Sequence, residues 1–117
     1  MHIESFREYC LSMPGSDESL PFDENTLCFK VKGKIFAICD IMDFESINLK
    51  CDPEKAIQLR EEFEGVEPGY HMNKKHWNTV MMDHSIPDNL VREWTRESYE
   101  LVVIGLPKKD REALRGD

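Results

Sequence analysis

Residues 26–41, TLCFKVKGKIFAICDI, decide the fold class of this chain. Leu27, Phe29 and Val31 alternate with Cys28, Lys30 and Lys32, the period-two pattern of a strand that buries one face. Lys32-Gly33 supplies a tight turn, because glycine takes a positive φ without steric cost. Residues 35–40 return as a more fully apolar strand, so the stretch reads as a β-hairpin over 27–40.

Working outward, Ile47, Leu49 and Cys51 alternate with Ser46, Asn48 and Lys50 and give a third strand. CDPEKAIQLREEFEG (51–65) is a capped helix. Asp52 caps it, Pro53 suits the first helical position, and Ala56, Leu59 and Phe63 form the buried stripe. Upstream, Ile3, Phe6 and Cys10 share one face of a short helix over 3–12, with Met13 continuing it. MPGSDESLPF (13–22) reads as an exposed loop by its Pro and Gly content. Downstream, VEPGYHM (66–72) turns the chain, and HWNTVMMD (76–83) gives one or two short strands. A second capped helix follows over 85–107, with Leu90, Trp94, Leu101 and Val102 inward.

The order is thus α-βββ-α-β(β)-α in one domain over residues 1–117, since a chain this short has no room for two cores. Strands joined by short turns pair antiparallel, so the expected class is α+β, an antiparallel sheet with helices packed on one face. The other face is then open to water or a partner, with Lys30, Lys32, Asn48 and Lys50 pointing outward.

The longest apolar runs, IFAIC and LVVIGL, are too short to cross a bilayer, and MHIESFREYC lacks the layout of a secretory signal. A cytoplasmic protein with no membrane partner is expected. Cys10, Cys28, Cys39 and Cys51 have neither zinc-site nor disulfide-framework spacing, and read as buried free thiols.

Charge is segregated. The chain carries 15 Lys and Arg against 23 Asp and Glu, a formal net charge of -8. Yet GYHMNKKHWNTV (69–80) contains no carboxylate while holding two His, two Lys, two Asn, a Tyr and a Trp. His71 and His76 are five apart, a poor spacing for metal ligation, and no Cys, Asp or Glu within the stretch completes a set. No nucleophile motif, glycine-rich phosphate cradle or carboxylate pair accompanies the histidines, so neither an enzyme nor a cofactor is expected. One reading is architectural: Trp77 and Tyr70 in the core, Asn73 and Asn78 satisfying backbone groups, Lys74 and Lys75 as a solvated tip. It leaves the missing acids unexplained. A nucleic-acid surface explains them directly, since lysines neutralise phosphates while Asn and His hydrogen-bond phosphates or base edges.

FKVKGKIFAI, INLKCDPE, LREEFEGVEPGYHMNKKHWNTV and SYELVVIGLPKK together resemble the MmcQ/YjbR family of small bacterial proteins, over residues 3–114. The resemblance implies a compact α+β fold with an antiparallel sheet, likened to secretion chaperones and to the frataxin-like CyaY fold. It also implies the family's label of a double-wing DNA-binding protein, and carries over no catalytic residues. The positions matching the family signature are Asn48, Lys50, Gly69, Tyr70, His71, Asn73, Lys74, His76, Trp77 and Asn78. The expected function is non-enzymatic DNA contact through a local basic face, made by hairpin 27–40 and loop 69–80. Its candidate residues are Lys30, Lys32, Lys34, Asn48, Lys50, Tyr70, His71, Asn73, Lys74, Lys75, His76, Trp77 and Asn78. The alternative is a module binding a protein or a small acidic ligand on the open face.

Overall fold

A computed structural model describes residues 1–69 and 72–115. Helix α1 (Ile3–Leu11) is followed by strands β1 (Ser16–Ser19), β2 (Thr26–Val31), β3 (Lys34–Asp40) and β4 (Ser46–Lys50). Helix α2 (Pro53–Glu62), strands β5 (Val66–Pro68) and β6 (Trp77–Met81), and helices α3 (Asp88–Ile104) and α4 (Lys108–Arg115) complete the order. The strands form one antiparallel sheet, β1-β2-β3-β4-β6-β5. The α+β class and the hairpin are as the sequence implies.

Three segments differ from the sequence reading. The stretch read as an exposed loop contains β1, an edge strand built from Ser-Asp-Glu-Ser. Composition hides it, because an edge strand needs only backbone pairing, here Ser16–Ser19 against Val31–Cys28. Arg7 of α1 clamps it with a forked pair of bonds to Glu18, 2.7 Å from each carboxylate oxygen. The turn at 66–72 begins as β5, which pairs with β6. The closing KKDREALR forms α4, and its Leu114 lies over Gly15, where a Cβ would meet Leu114 Cδ2 at 2.3 Å.

The helices cover one face of the sheet. Phe6 of α1 meets Phe29 edge-on, Tyr99 of α3 meets Phe36, and Phe63 at the end of α2 meets Trp94 of α3. Phe6, Phe29, Phe36, Ile47, Val31 and Val80 are fully buried between the layers. The β2–β3 turn has positive φ at both Lys32 and Gly33, the backbone of a tight hairpin that follows the sheet's twist.

One irregularity in β3 shapes both faces. Pairing runs Phe29 with Ala37 but Lys30 with Ile35, so Phe36 is an extra residue in the ladder. Phe36 and Ala37 both turn inward, and Ile35 and Ile38 both turn outward. The bulge parts Phe36 from Lys50 on β4, and the hydroxyl of Ser98, fully buried on α3, fills the gap. It accepts the Lys50 N–H at 2.8 Å and donates to the Phe36 carbonyl at 2.6 Å. Ser98→Ala would leave both backbone groups without a partner in a dry interior. The expected loss is about 2 kcal/mol, from the cost of buried unpaired polar groups, read as a lower urea midpoint at unchanged slope.

The cysteines are free, with Cys10, Cys28 and Cys39 buried and Cys51 partly so. Burial pushes the Cys10 thiol well above its ordinary value, and pushes Cys39 up to about 12, with the Asp40 charge adding to the effect. A thiol whose folded pKa is raised binds its proton more tightly when folded. Its contribution is complete below the unfolded value of about 8.5, and is lost as pH rises toward the folded value. Stability should therefore fall between about pH 9 and 12, and Cys10→Ala/Cys39→Ala should flatten that decline in urea titrations run across the range.

Candidate functional site

Strand direction brings the sequence-picked lysines to one end of the sheet. β2 rises to the Lys32-Gly33 turn, β3 descends from Lys34, β4 rises to Lys50, and Trp77 at the start of β6 pairs with Lys50. The hairpin tip, the end of β4 and the loop before β6 therefore share that end. Lys32, Lys34, Lys74 and Lys75 are exposed, and Lys30 and Lys50 are half-buried on the outer face. None of these six takes part in an ion pair among the described residues. Asp17 stands across from Lys30 on β1, and Asp52 is engaged in capping α2 through the Glu54 and Lys55 amides. Asp23 and Glu24 in the β1–β2 loop, Asp40, Asp43 and Glu45 around the β3–β4 turn, and Asp83 gather at the other end. Six acids thus lie away from the lysine-bearing turns, while Asp17 and Asp52 stay beside them and Glu97 and Glu100 share a lining with Lys50 on the helix side.

The loop before β6 is fastened from beneath. Asn73 accepts the Lys75 amide on its side chain at 2.9 Å, and its carbonyl accepts the His76 and Trp77 amides. Lys74 and Lys75 are lifted onto the tip of that turn. Arg60, in the last turn of α2, donates to Asn78 Oδ1 at 2.7 Å and to the carbonyls of Lys74 and Trp77. Cys51 donates its amide to the His76 carbonyl at 2.7 Å, tying the loop to the end of β4. Gly69 leads into the loop because a Cβ there would sit 2.9 Å from Trp77 Cβ.

The outer face carries a second feature, a trough of about 540 Å³ above β2, β3 and β4. Ile35, Ile38, Thr26, Asp40, Ser46 and Asn48 line its floor and ends, and Phe22 and Met72 overhang it from the loops on either side. The face is therefore less open than the sequence suggests. Ile38 is only 8% exposed, whereas Phe22 is 66% exposed on the overhanging loop. On the helix side, a smaller cleft of about 240 Å³ opens between α2 and α3, with Leu59, Trp94 and Leu101 as walls. The Lys55–Glu97 pair, 2.6 Å apart, stands among its lining residues. Burial alone would lower the Lys55 pKa, and the hydrogen bond and charge of Glu97 more than offset it.

Comparison with known proteins places this arrangement. The family model described as YjbR matches residues 11–101. The chain belongs to the YjbR family. It is 36% identical to the uncharacterised protein YbdF of Escherichia coli O157:H7 over 113 residues, 96% of this chain and 93% of that one. It is 34% identical to the uncharacterised protein YjbR of Escherichia coli K12 over 115 residues, covering 97% of this chain and 98% of that one. The crystal structure of Deinococcus radiodurans DR2400, described as a DUF419 domain, superposes with a TM-score of 0.90 at 40% identity. That match covers 96% of this chain and 86% of DR2400. These YjbR relatives are bacterial, and their descriptions name no ligand or reaction.

Within this YjbR fold the sequence-picked residues divide into three groups. Lys30, Lys32, Lys34, Lys50, Lys74 and Lys75 share the end just described, and Asn48 lines the trough. Asn73 builds the turn, and His76 and Trp77 are half-buried beside it. Asn78 corrects the reading: only 2% of it is exposed, on the helix face, where its amide meets Arg60 and the Ala56 carbonyl. Its neighbour Trp77 takes the outward position on β6, so alternation forces Asn78 inward. Tyr70 and His71 lie outside the described residues. Among the described residues no group of three or more His, Cys, Asp or Glu is placed to hold a metal, and no helix is long and apolar enough to cross a membrane. Sequence reasoning missed Arg60, Phe22, Ile38 and Met72, which reach their places only through the folded loops. Arg60→Met should speed amide hydrogen exchange at residues 74–77 at least tenfold while leaving α1 and α3 protected. Equal exchange in both proteins would show that Arg60 does not fasten the loop.

Proposed function

We propose that this YjbR-family chain is a non-enzymatic binding protein that contacts nucleic acid through the lysine-bearing end of its sheet. One observation carries the reading: the hairpin tip and the loop before β6 converge on one end of the sheet with Lys32, Lys34, Lys74 and Lys75 exposed and outside any ion pair among the described residues. Two projecting turns side by side make a pair of cationic contacts, and phosphates are neutralised by such lysines with release of counterions. Acids near these turns, Asp17 across from Lys30 and Asp52 just after β4, oppose binding within a screening distance of about 10 Å at 0.1 M salt. The contact is therefore weak and sharply salt-dependent. A second reading, ligand capture on the outer face, is favoured by the trough beneath Phe22 and Met72.

Fluorescence-anisotropy titrations with duplex and single-stranded DNA at several salt concentrations test the first reading. Lys74→Glu/Lys75→Glu, its fold verified by circular dichroism, should weaken binding at least tenfold at low salt and make the salt dependence shallower. An unmodified protein that binds neither DNA at low salt ends the nucleic-acid reading.

A further inference from the structure

The strand register arranges the outer face in three rows. Lys30, Ile35 and Lys50 form the row nearest the lysine-bearing end, with Trp77 beside Lys50. Cys28, Ile38, Asn48 and Thr79 form the middle row, and Thr26, Asp40, Ser46 and Met81 the far one. Rows two residues apart are separated by about 7 Å along the strands, and positions two strands apart by about 10 Å across them.

Each row offers a different chemistry. In the first, Lys30 and Lys50 bracket Ile35 from neighbouring strands, half-buried and free of ion pairs among the described residues. Their flexible stems bring both ammonium groups within reach of one anion between them. In the middle row, Ile38 is an apolar floor, and Phe22 and Met72 overhang it. Beside it, Asn48 Oδ1 is occupied by the Thr79 hydroxyl at 2.7 Å, which fixes the amide and leaves its two N–H donors to the trough. In the far row, Asp40 Oδ1 accepts the Met42 and Asp43 amides, so the carboxylate is held in place with Oδ2 available as an acceptor near Ser46. The trough thus presents an apolar slot with a donor and then an acceptor, and Lys30 and Lys50 stand just beyond its lining at the Ile35 end, with Asp17 across from Lys30.

We infer that the trough is a nucleotide site, with a phosphate between Lys30 and Lys50 and a base lying on Ile38 under Phe22 and Met72. The spacing between rows is of the order of the separation between a base and its own phosphate. The Asn48 amide donates to a ring nitrogen or carbonyl of the base, and Asp40 accepts from an exocyclic amino group. Adenine and cytosine therefore suit the site better than uracil, which has no amino group to offer. The inference rests on the outer-face reading, and not on nucleic-acid contact by the lysine-bearing turns. A free nucleotide and one unpaired residue of a strand present the same chemistry to it.

The test follows backbone amide resonances of the full chain during titration with AMP, UMP, adenosine, a short oligoadenylate and the neutral dye Nile red. AMP should shift the resonances of Ile35, Ile38, Asn48 and Lys50, and bind at least fivefold more tightly than UMP. Lys30→Gln/Lys50→Gln, which alters only side-chain ends, should weaken AMP at least tenfold while changing adenosine less than twofold. Asn48→Ala should weaken both alike. Oligoadenylate binding the trough more than tenfold tighter than AMP identifies the source as a single strand, and equal affinities identify it as a free nucleotide. Nile red shifting the trough while millimolar AMP does not would overturn the nucleotide assignment and leave the outer-face reading standing. Silence of the trough toward every probe would overturn both.

Discussion

The Ser98 hydroxyl is the point on which the two sides of this sheet depend. A bulge in β3 forces Phe36 and Ala37 to the same side, which gives the core an additional aromatic and places Ile35 and Ile38 together on the outside. Such a distortion ordinarily leaves backbone groups unpaired, and in a buried central strand that is costly. Here the hydroxyl from α3 accepts from one strand and donates to the next, replacing the missing rung. The same contact fixes α3 against the sheet, with Tyr99 packed on Phe36 one residue further along. The inner packing and the floor of the outer trough are thus two consequences of one irregularity.

The lysine-bearing end depends on a different contact. The loop that leads into β6 is held at its exit by a single cation from α2. Arg60 can do this because its guanidinium offers several N–H donors in a planar fork and meets carbonyls and an amide oxygen together. Asn78 is the inward partner of that fork. Its burial beneath the loop shows that part of the carboxylate-free stretch is architecture supporting Lys74 and Lys75. The two explanations of the stretch weighed from sequence therefore apply to different residues within it.

The family gives this arrangement breadth without assigning it a task. Relatives match nearly the whole chain at 34% and 36% identity, and a 40% identical crystal structure superposes at a TM-score of 0.90. The fold is thus held in common across bacterial relatives. What distinguishes a binding surface within it must be sought in the two turns and the outer face, where side chains answer to water and ligand rather than to packing.

The sequence by itself determined the elements whose signal is local. Alternation marked β2 and β4, a tight turn followed by an apolar run marked β3, helical periodicity marked α1, α2 and α3, and segregated charge marked the six lysines; of the two caps expected, Asp52 caps α2, while α3 starts with no side-chain cap. It did not reveal β1 or β5, because short edge strands are made by backbone pairing and need no apolar pattern. Nor did it reveal that Asn78 faces inward, since that follows from which residue of β6 takes the outward position. The bulge at Phe36, the Ser98 bridge, the reach of Arg60 and the overhang of Phe22 and Met72 were decided by tertiary structure alone. Each joins residues far apart in the chain, 62 positions in the case of Ser98 and Phe36. Their geometry exists only once the sheet and its helices have packed.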